Sequence, residues 1–183
     1  MGYSLQTMQG ITLNADGIVL RPWRVADAAW YVAARDEEIY RWTTESRALT
    51  VAETEQAIRY YLDAESFWCF AIADGQTDQL MGNLALEVLA PDFTTGEGHY
   101  WLAEQARGRG VATTALKLLS EWAFADLKLQ RLFLKIMPGN LRSQRVAETV
   151  GFHRIETPTN EGSSGVWVWF ALNKADLVTR KSA

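Results

Sequence analysis

Glu104-Gln105-Ala106-Arg107-Gly108-Arg109-Gly110-Val111-Ala112 is the stretch on which the reading of this chain turns. Two glycines one residue apart let the backbone turn sharply with its N–H groups converging, and a helix that follows adds its positive end. Val111, Ala115, Leu118, Leu119, Trp122 and Ala123 recur at helical spacing, so the turn opens a long amphipathic helix. Upstream, Glu97-Gly98-His99-Tyr100-Trp101-Leu102 reads as a strand. Strand, glycine turn and helix start make an anion site, which Arg107 and Arg109 strengthen. The alternative is an exposed basic turn whose glycines serve geometry alone. Two other phosphate motifs are set aside: no Gly-x-x-x-x-Gly-Lys-Ser/Thr string occurs, and Thr113 stands where a dinucleotide fingerprint expects glycine or alanine.

Working outward, Gly17 to Trp23 is a strand halted by Pro22, and a helical pattern begins at Asp27 and runs through Ala28, Trp30, Tyr31 and Ala34. Thr50 with Glu53 forms a capping box for a helix whose apolar face is Ile58, Tyr61 and Leu62. Phe67 to Ala73 and Leu80 to Leu89, joined at Asp74-Gly75, form an antiparallel pair. Beyond the long helix, Arg131 to Met137 alternates as a strand, and Leu141 to Val150 is helical and ends at Gly151. Phe152 to Ile155 and Val166 to Leu172 close the sheet. The order is strand, two helices, three strands, helix, strand, helix, two strands. It specifies a mixed sheet with helices on both faces.

The chain has 183 residues, 48% of them hydrophobic, enough for one domain with a continuous core. A formal net charge of -4 disfavours a nonspecific nucleic-acid binder. The single cysteine, Cys69, excludes an intrachain disulfide, suits a reducing cytosolic compartment, and reads as a buried structural thiol. The N-terminus does not read as a signal peptide, and charges interrupt every apolar stretch before a span of about 20 residues, so no membrane association is expected. With only two histidines, His99 and His153, no metal site is expected either.

Gln105-Ala106-Arg107-Gly108-Arg109-Gly110 resembles the Gln/Arg-x-x-Gly-x-Gly/Ala signature of the GNAT superfamily of acyltransferases. Asn140-Leu141-Arg142-Ser143 through Glu148-Thr149-Val150-Gly151-Phe152 is similar to that family's second conserved helix. Glu97 to Leu102 is similar to the strand before the signature, and Leu20-Arg21-Pro22 to the opening strand of the branch that includes ribosomal-protein alanine N-acetyltransferases. The resemblance covers roughly Ile18 to Leu172. It implies an α/β (α+β) GNAT fold in one domain over residues 1–183, with a mixed, mostly antiparallel central sheet. It also implies acetyl-CoA as donor, its pyrophosphate on the turn Gln105, Ala106, Arg107, Gly108, Arg109, Gly110, Val111 and Ala112. The pantetheine arm would lie between the strand Tyr100 to Ala103, with Trp101, Leu102 and Ala103 as contacts, and the splayed strand Arg131 to Met137, near Asn140 and Ser143.

Acyl transfer from a thioester to an amine needs a base for the amine, donors for the oxyanion, and a proton for a thiolate whose free pKa is about 8.5. Glu97 and His99, two residues apart on one strand face, are the competing bases; an exposed glutamate and a hydrogen-bonded histidine are the plain alternatives. Many relatives carry a tyrosine four residues before the Gly-Phe pair, but this chain has Ala147. Ser143 looks like the hydroxyl donor of the ribosomal-protein branch; its other reading is a first-turn serine serving backbone N–H groups. Asn140 is expected both to cap this helix and to contact the pantetheine. Tyr40 and Trp42 either shape the acceptor pocket with Glu97 or belong to the core. Asp36-Glu37-Glu38 and Asp92 either attract a cationic amine or are solvated surface. The aromatic strand at Trp167 and Trp169 could support a homodimer or wall a pocket. The expected acceptor is a primary amine, a protein N-terminus or a small molecule, with a noncatalytic CoA-binding module as the competing function.

Overall fold

The computed structural model describes residues 8, 10–89, 94–156 and 167–181. Its strands are β1 Leu13–Ala15, β2 Ile18–Pro22, β3 Phe67–Asp74, β4 Leu80–Leu89, β5 Thr95–Leu102, β6 Arg131–Ile136, β7 His153–Ile155 and β8 Val168–Asn173. Its helices are α1 Ala28–Ala33, α2 Glu37–Trp42, α3 Val51–Leu62, α4 Val111–Ala125, α5 Leu141–Val150 and α6 Lys174–Lys181. The strands form one sheet in the order β1-β2-β3-β4-β5-β6-β8-β7. Every pairing is antiparallel except β5 with β6. The expected mixed, mostly antiparallel sheet is therefore present.

Three early helices replace the expected two. Asp36 begins α2 by accepting from the Ile39 N–H at 3.0 Å, and six residues are too few to display a helical period. The Thr50 and Glu53 capping box is formed reciprocally, and Gly151 closes α5 at φ 117. Neither β1 nor α6 was expected, and Val166 and Asp92 lie outside the described residues.

The period-two alternation of the strands separates two faces. One carries Leu20, Phe70, Ile72, Leu84, Leu86, Leu134 and Phe170 into a core closed by Leu116, Leu119 and Trp122 of α4 and by Ala147 and Val150 of α5. Trp122 meets Trp68 and Phe70 edge-on, with centroids 5.7 and 5.6 Å away. The other face bears Trp23, Ala71, Cys69, Asn83, Trp101, His99 and Glu97, and helices α1 and α3 cover part of it. Cys69 is half-buried, its thiol donating to Asn83 Oδ1 at 3.2 Å. Burial pushes that thiol up to about 12, so it is protonated and inert at neutral pH, as a structural thiol should be.

Candidate active site

β5 and β6 pair only at Thr95 with Arg131, Gly96 with Leu132 and Glu97 with Phe133. β6 continues against β8 to Ile136, so past Glu97 the two parallel strands part and open a cleft. The Ala103 N–H bonds back to Met81 O on β4 at 2.9 Å. By strand alternation Trp101 also turns its main chain to β4, whereas Gly98, Tyr100 and Leu102 turn theirs to the cleft. This corrects the placement of Trp101 and Ala103 as main-chain contacts for a bound arm. The Leu102 carbonyl is already taken by Arg107 Nε at 3.1 Å. Gly98 and Tyr100 are left as the positions where an amide-bearing arm can add along the edge.

At the end of the cleft the chain turns through Gln105 and the buried Ala106 into Gly108 and Gly110, at φ 72 and 78. No heavy atom lies within 4 Å of where a Cβ would stand on either glycine, so it is the left-handed backbone, not crowding, that calls for glycine here. Gly110 is the N-cap of α4 and offers no side chain. The first-turn N–H groups at Val111, Ala112 and Thr113 therefore have no internal partner and face an incoming anion with the helix dipole behind them.

The two arginines of the turn divide their work. Arg109 is exposed and reaches the Gln105 carbonyl at 3.4 Å. Arg107 instead donates to Asp36 at 2.8 Å and Glu38 at 3.2 Å, so its guanidinium is held by carboxylates. Glu38 also holds Arg142 at the start of α5 at 2.9 Å, and Glu37 is paired with Arg47. The acidic run is thus neither an amine trap nor idle surface: it ties α2 to both lips of the cleft. The Arg107 guanidinium holds the Asp36 carboxyl below the usual carboxylate range. A depressed carboxylate contributes stability above the unfolded value, about 3.9, and loses it as pH falls through the folded value. Arg107→Ala should therefore flatten the fall of Tm with acidification below about pH 5; equal slopes in wild type and variant would show that the pair is energetically silent.

Glu97 and His99 share a face, as expected, but differ in environment. Glu97 is 4% exposed, and its Oε2 is held by Lys135 Nζ at 2.9 Å. The His99 side chain is 47% exposed, with Nε2 3.6 Å from Glu97 Oε1. Lys135 itself lies over the Trp169 ring, 4.8 Å from its centroid. On the opposite face, Ser143 Oγ lies 2.7 Å from the Tyr100 hydroxyl. Asn140 caps α5, accepting from the Ser143 N–H at 3.1 Å, so the serine hydroxyl is not used for capping. Burial pushes the Tyr100 phenol up to about 12, keeping it protonated. The sequence places Tyr100 on the strand beside the arm without a role for its hydroxyl, and does not single out Lys135. A cleft-facing tyrosine next to His99 was the available signal, and Tyr100 supplies a hydroxyl from the strand where Ala147 supplies none from the helix.

Neither Tyr40 nor Trp42 is core; both are half-buried. Tyr40 lies under the Arg47 guanidinium at 4.4 Å, and Trp42 packs on Gly139, where an added Cβ would stand 3.1 Å from the indole. Trp42 thus borders the loop that delivers Asn140 and Ser143. Among the described residues no helix is long and apolar enough to cross a membrane.

Comparison with known proteins gives the family and the fold. The family described as Acetyltransferase (GNAT) domain matches residues 18–153. A Bacillus subtilis (strain 168) protein named Probable N-acetyltransferase YjcK is 30% identical over 165 residues, 85% of this chain and 91% of its own. Among solved structures, the ribosomal-protein-S5-alanine acetyltransferase from Vibrio fischeri superposes with a TM-score of 0.77 at 17% identity, covering 91% of this chain and 98% of that one. The spermidine N-acetyltransferase from Vibrio cholerae, in complex with CoA and spermine, gives 0.77 at 17% identity over 88% and 98%.

Proposed function

From its membership of the GNAT acetyltransferase family, to which this chain belongs, we propose a division of labour for the transfer of an acetyl group from acetyl-CoA to a primary amine. One observation carries the proposal: two polar pairs, His99 with Glu97 and Ser143 with Tyr100, flank the same splayed stretch of β5 from opposite faces of the sheet. Pyrophosphate binds the main chain from Gln105 to Ala112, with Arg109 as its cation. The pantetheine arm follows Gly98 and Tyr100 along the open edge, with the Asn140 amide close by.

His99 takes the proton of the attacking amine from one side, and Glu97 holds the imidazole. Glu97 is buried and held by Lys135, so it orients the imidazole and does not itself meet the amine. A cleft-facing N–H of Gly98 or Tyr100 donates to the carbonyl oxygen as it becomes an oxyanion. On the far side the Ser143 hydroxyl donates to the departing thiolate while Tyr100 donates into Ser143. The C–N bond forms and the C–S bond breaks; the amine's proton passes to His99 and on to solvent, and CoA leaves as a thiolate hydrogen-bonded by Ser143 that takes up its proton from solvent. Trp42 and Tyr40 border the acceptor side.

The test is release of CoA thiol from acetyl-CoA with a panel of primary amines and short peptides. Transfer above the hydrolysis background is expected; a folded protein that binds acetyl-CoA by calorimetry yet releases nothing would be a noncatalytic binder. Ser143→Ala should lower kcat about 10- to 100-fold and leave acetyl-CoA affinity within about twofold, the pattern of a contact made in the transition state. An unchanged kcat would remove Ser143 from the chemistry.

A further inference from the structure

On the amine side of the sheet lies a cavity of about 260 Å³ that the transfer chemistry does not use. Trp23, Tyr31, Ile58, Tyr61 and Leu62 give it apolar and aromatic walls, Ala57 of α3 faces into it, and Cys69 is on its floor. Registers place it relative to the reaction: Cys69 stands opposite Ala85, and Ala85 opposite His99. Directly opposed residues share a face, and strands lie about 4.8 Å apart, so the floor is about 10 Å from His99 along one row. Glu45, one of the residues lining the cavity, is held in place. Glu45 Oε1 accepts from the Tyr31 hydroxyl at 2.7 Å and the Trp101 indole at 3.2 Å, while Oε2 accepts from Arg35 at 3.1 Å.

Charge decides what class of molecule suits this side. A polycation needs several uncompensated carboxylates, but those of α2 and the loop after it are already paired: Asp36 with Arg107, Glu37 with Arg47, Glu38 with Arg107 and Arg142, and Glu45 with Arg35. Glu97 is paired with Lys135. Glu87, exposed opposite Glu97 on this face, is a single carboxylate, fewer than a polycation calls for; what the cavity offers is apolar volume. A cavity of about 150 Å³ with aliphatic and aromatic walls holds a benzene ring, so this one has room for a ring and part of its tether.

We propose that this cavity is an acceptor subsite for an apolar arm, and that the preferred acceptor is a monoamine carrying an aromatic or branched aliphatic group that reaches to about 10 Å from its nitrogen. The inference rests on acetyl transfer at His99, and its source can be a free amine or the apolar second residue of a peptide. The polyamine-type acceptor is the reading it opposes.

With the full-length chain and acetyl-CoA, kcat/KM is compared for 4-phenylbutylamine, butylamine and spermine, and for Ala-Phe amide against Ala-Ala amide. The phenyl compound is expected to exceed butylamine at least tenfold and to exceed spermine; the peptide pair shows whether the arm is read on a peptide as well. Ala57→Phe, which fills the cavity from the helix, should collapse the phenylbutyl-to-butyl ratio about tenfold, and Ala57→Leu should do so in part. Retained acetyl-CoA binding shows that the variants are folded. Spermine as the best acceptor, or an unchanged ratio in a folded Ala57→Phe, would overturn the proposal. Binding of N-acetyl-4-phenylbutylamine, followed by calorimetry, tests the subsite without turnover. Binding that Ala57→Phe weakens at least tenfold supports the subsite even if transfer fails, and no binding at millimolar ligand rejects it even if transfer succeeds.

Discussion

His99→Ala is expected to lower kcat/KM for amine acetylation by about 10²- to 10³-fold while acetyl-CoA affinity stays within about twofold. The direction follows from what each candidate base has free. Glu97 is buried and its Oε2 is held by Lys135 Nζ at 2.9 Å, so it presents no open face to an incoming amine. His99, half exposed on the same face and 3.6 Å from Glu97, can meet an incoming amine. Glu97→Gln gives the discriminating comparison. If His99 is the base, the glutamine variant should lose less than His99→Ala, and added imidazole should restore part of the alanine variant's rate but none of the glutamine variant's. A Glu97→Gln loss larger than that of His99→Ala, with no imidazole rescue, would move the base to Glu97. Purified Glu97→Gln also needs a thermal melt, because it removes the carboxylate that holds the Lys135 ammonium at 2.9 Å.

The phosphate turn was legible because its information is local. Glycines at positive φ, a preceding strand and a following helix all lie within about twenty residues, and each leaves a compositional trace. The capping box at Thr50 and the Gly151 cap were legible for the same reason. What the sequence concealed was long-range wiring. Arg107 looks like a phosphate ligand until its contact with Asp36, 71 residues away, is seen. Tyr100 acquires meaning only beside Ser143, 43 residues on, and Lys135 only because β5 and β6 run in register at Glu97 and Phe133. Glu45, in a loop without periodicity, gave no signal, though it organises Tyr31, Arg35 and Trp101. Short elements were hidden too: three-residue β1 and six-residue α2 are below the length at which any hydrophobic period can be read.

Gly82→Ala should destabilise the fold by about 3 kcal/mol, lowering Tm by roughly 6–12 °C for a chain of this size. Gly82 lies in β4 opposite Leu102, at the foot of the phosphate turn. A Cβ there would stand 2.3 Å from the Trp101 carbonyl oxygen and 3.0 Å from Leu102 Cα. Both obstacles are backbone, so no rotamer change relieves them and the β4–β5 ladder must move. Gly98→Ala is the internal control: its nearest obstacle, at 3.0 Å, is Leu134 Cδ2, the end of a flexible side chain, and the expected loss is about 1 kcal/mol. The two glycines also separate stability from function. Displacing β4 from β5 at Gly82 tilts the strand end that carries Leu102, Arg107 and the glycine turn, so acetyl-CoA affinity should fall in any Gly82→Ala protein that remains folded at low temperature. Comparable melts for the two variants would mean that β4 yields without strain at Gly82. A normal acetyl-CoA affinity in folded Gly82→Ala would mean that the turn is held by Arg107 and its carboxylates, independently of β4.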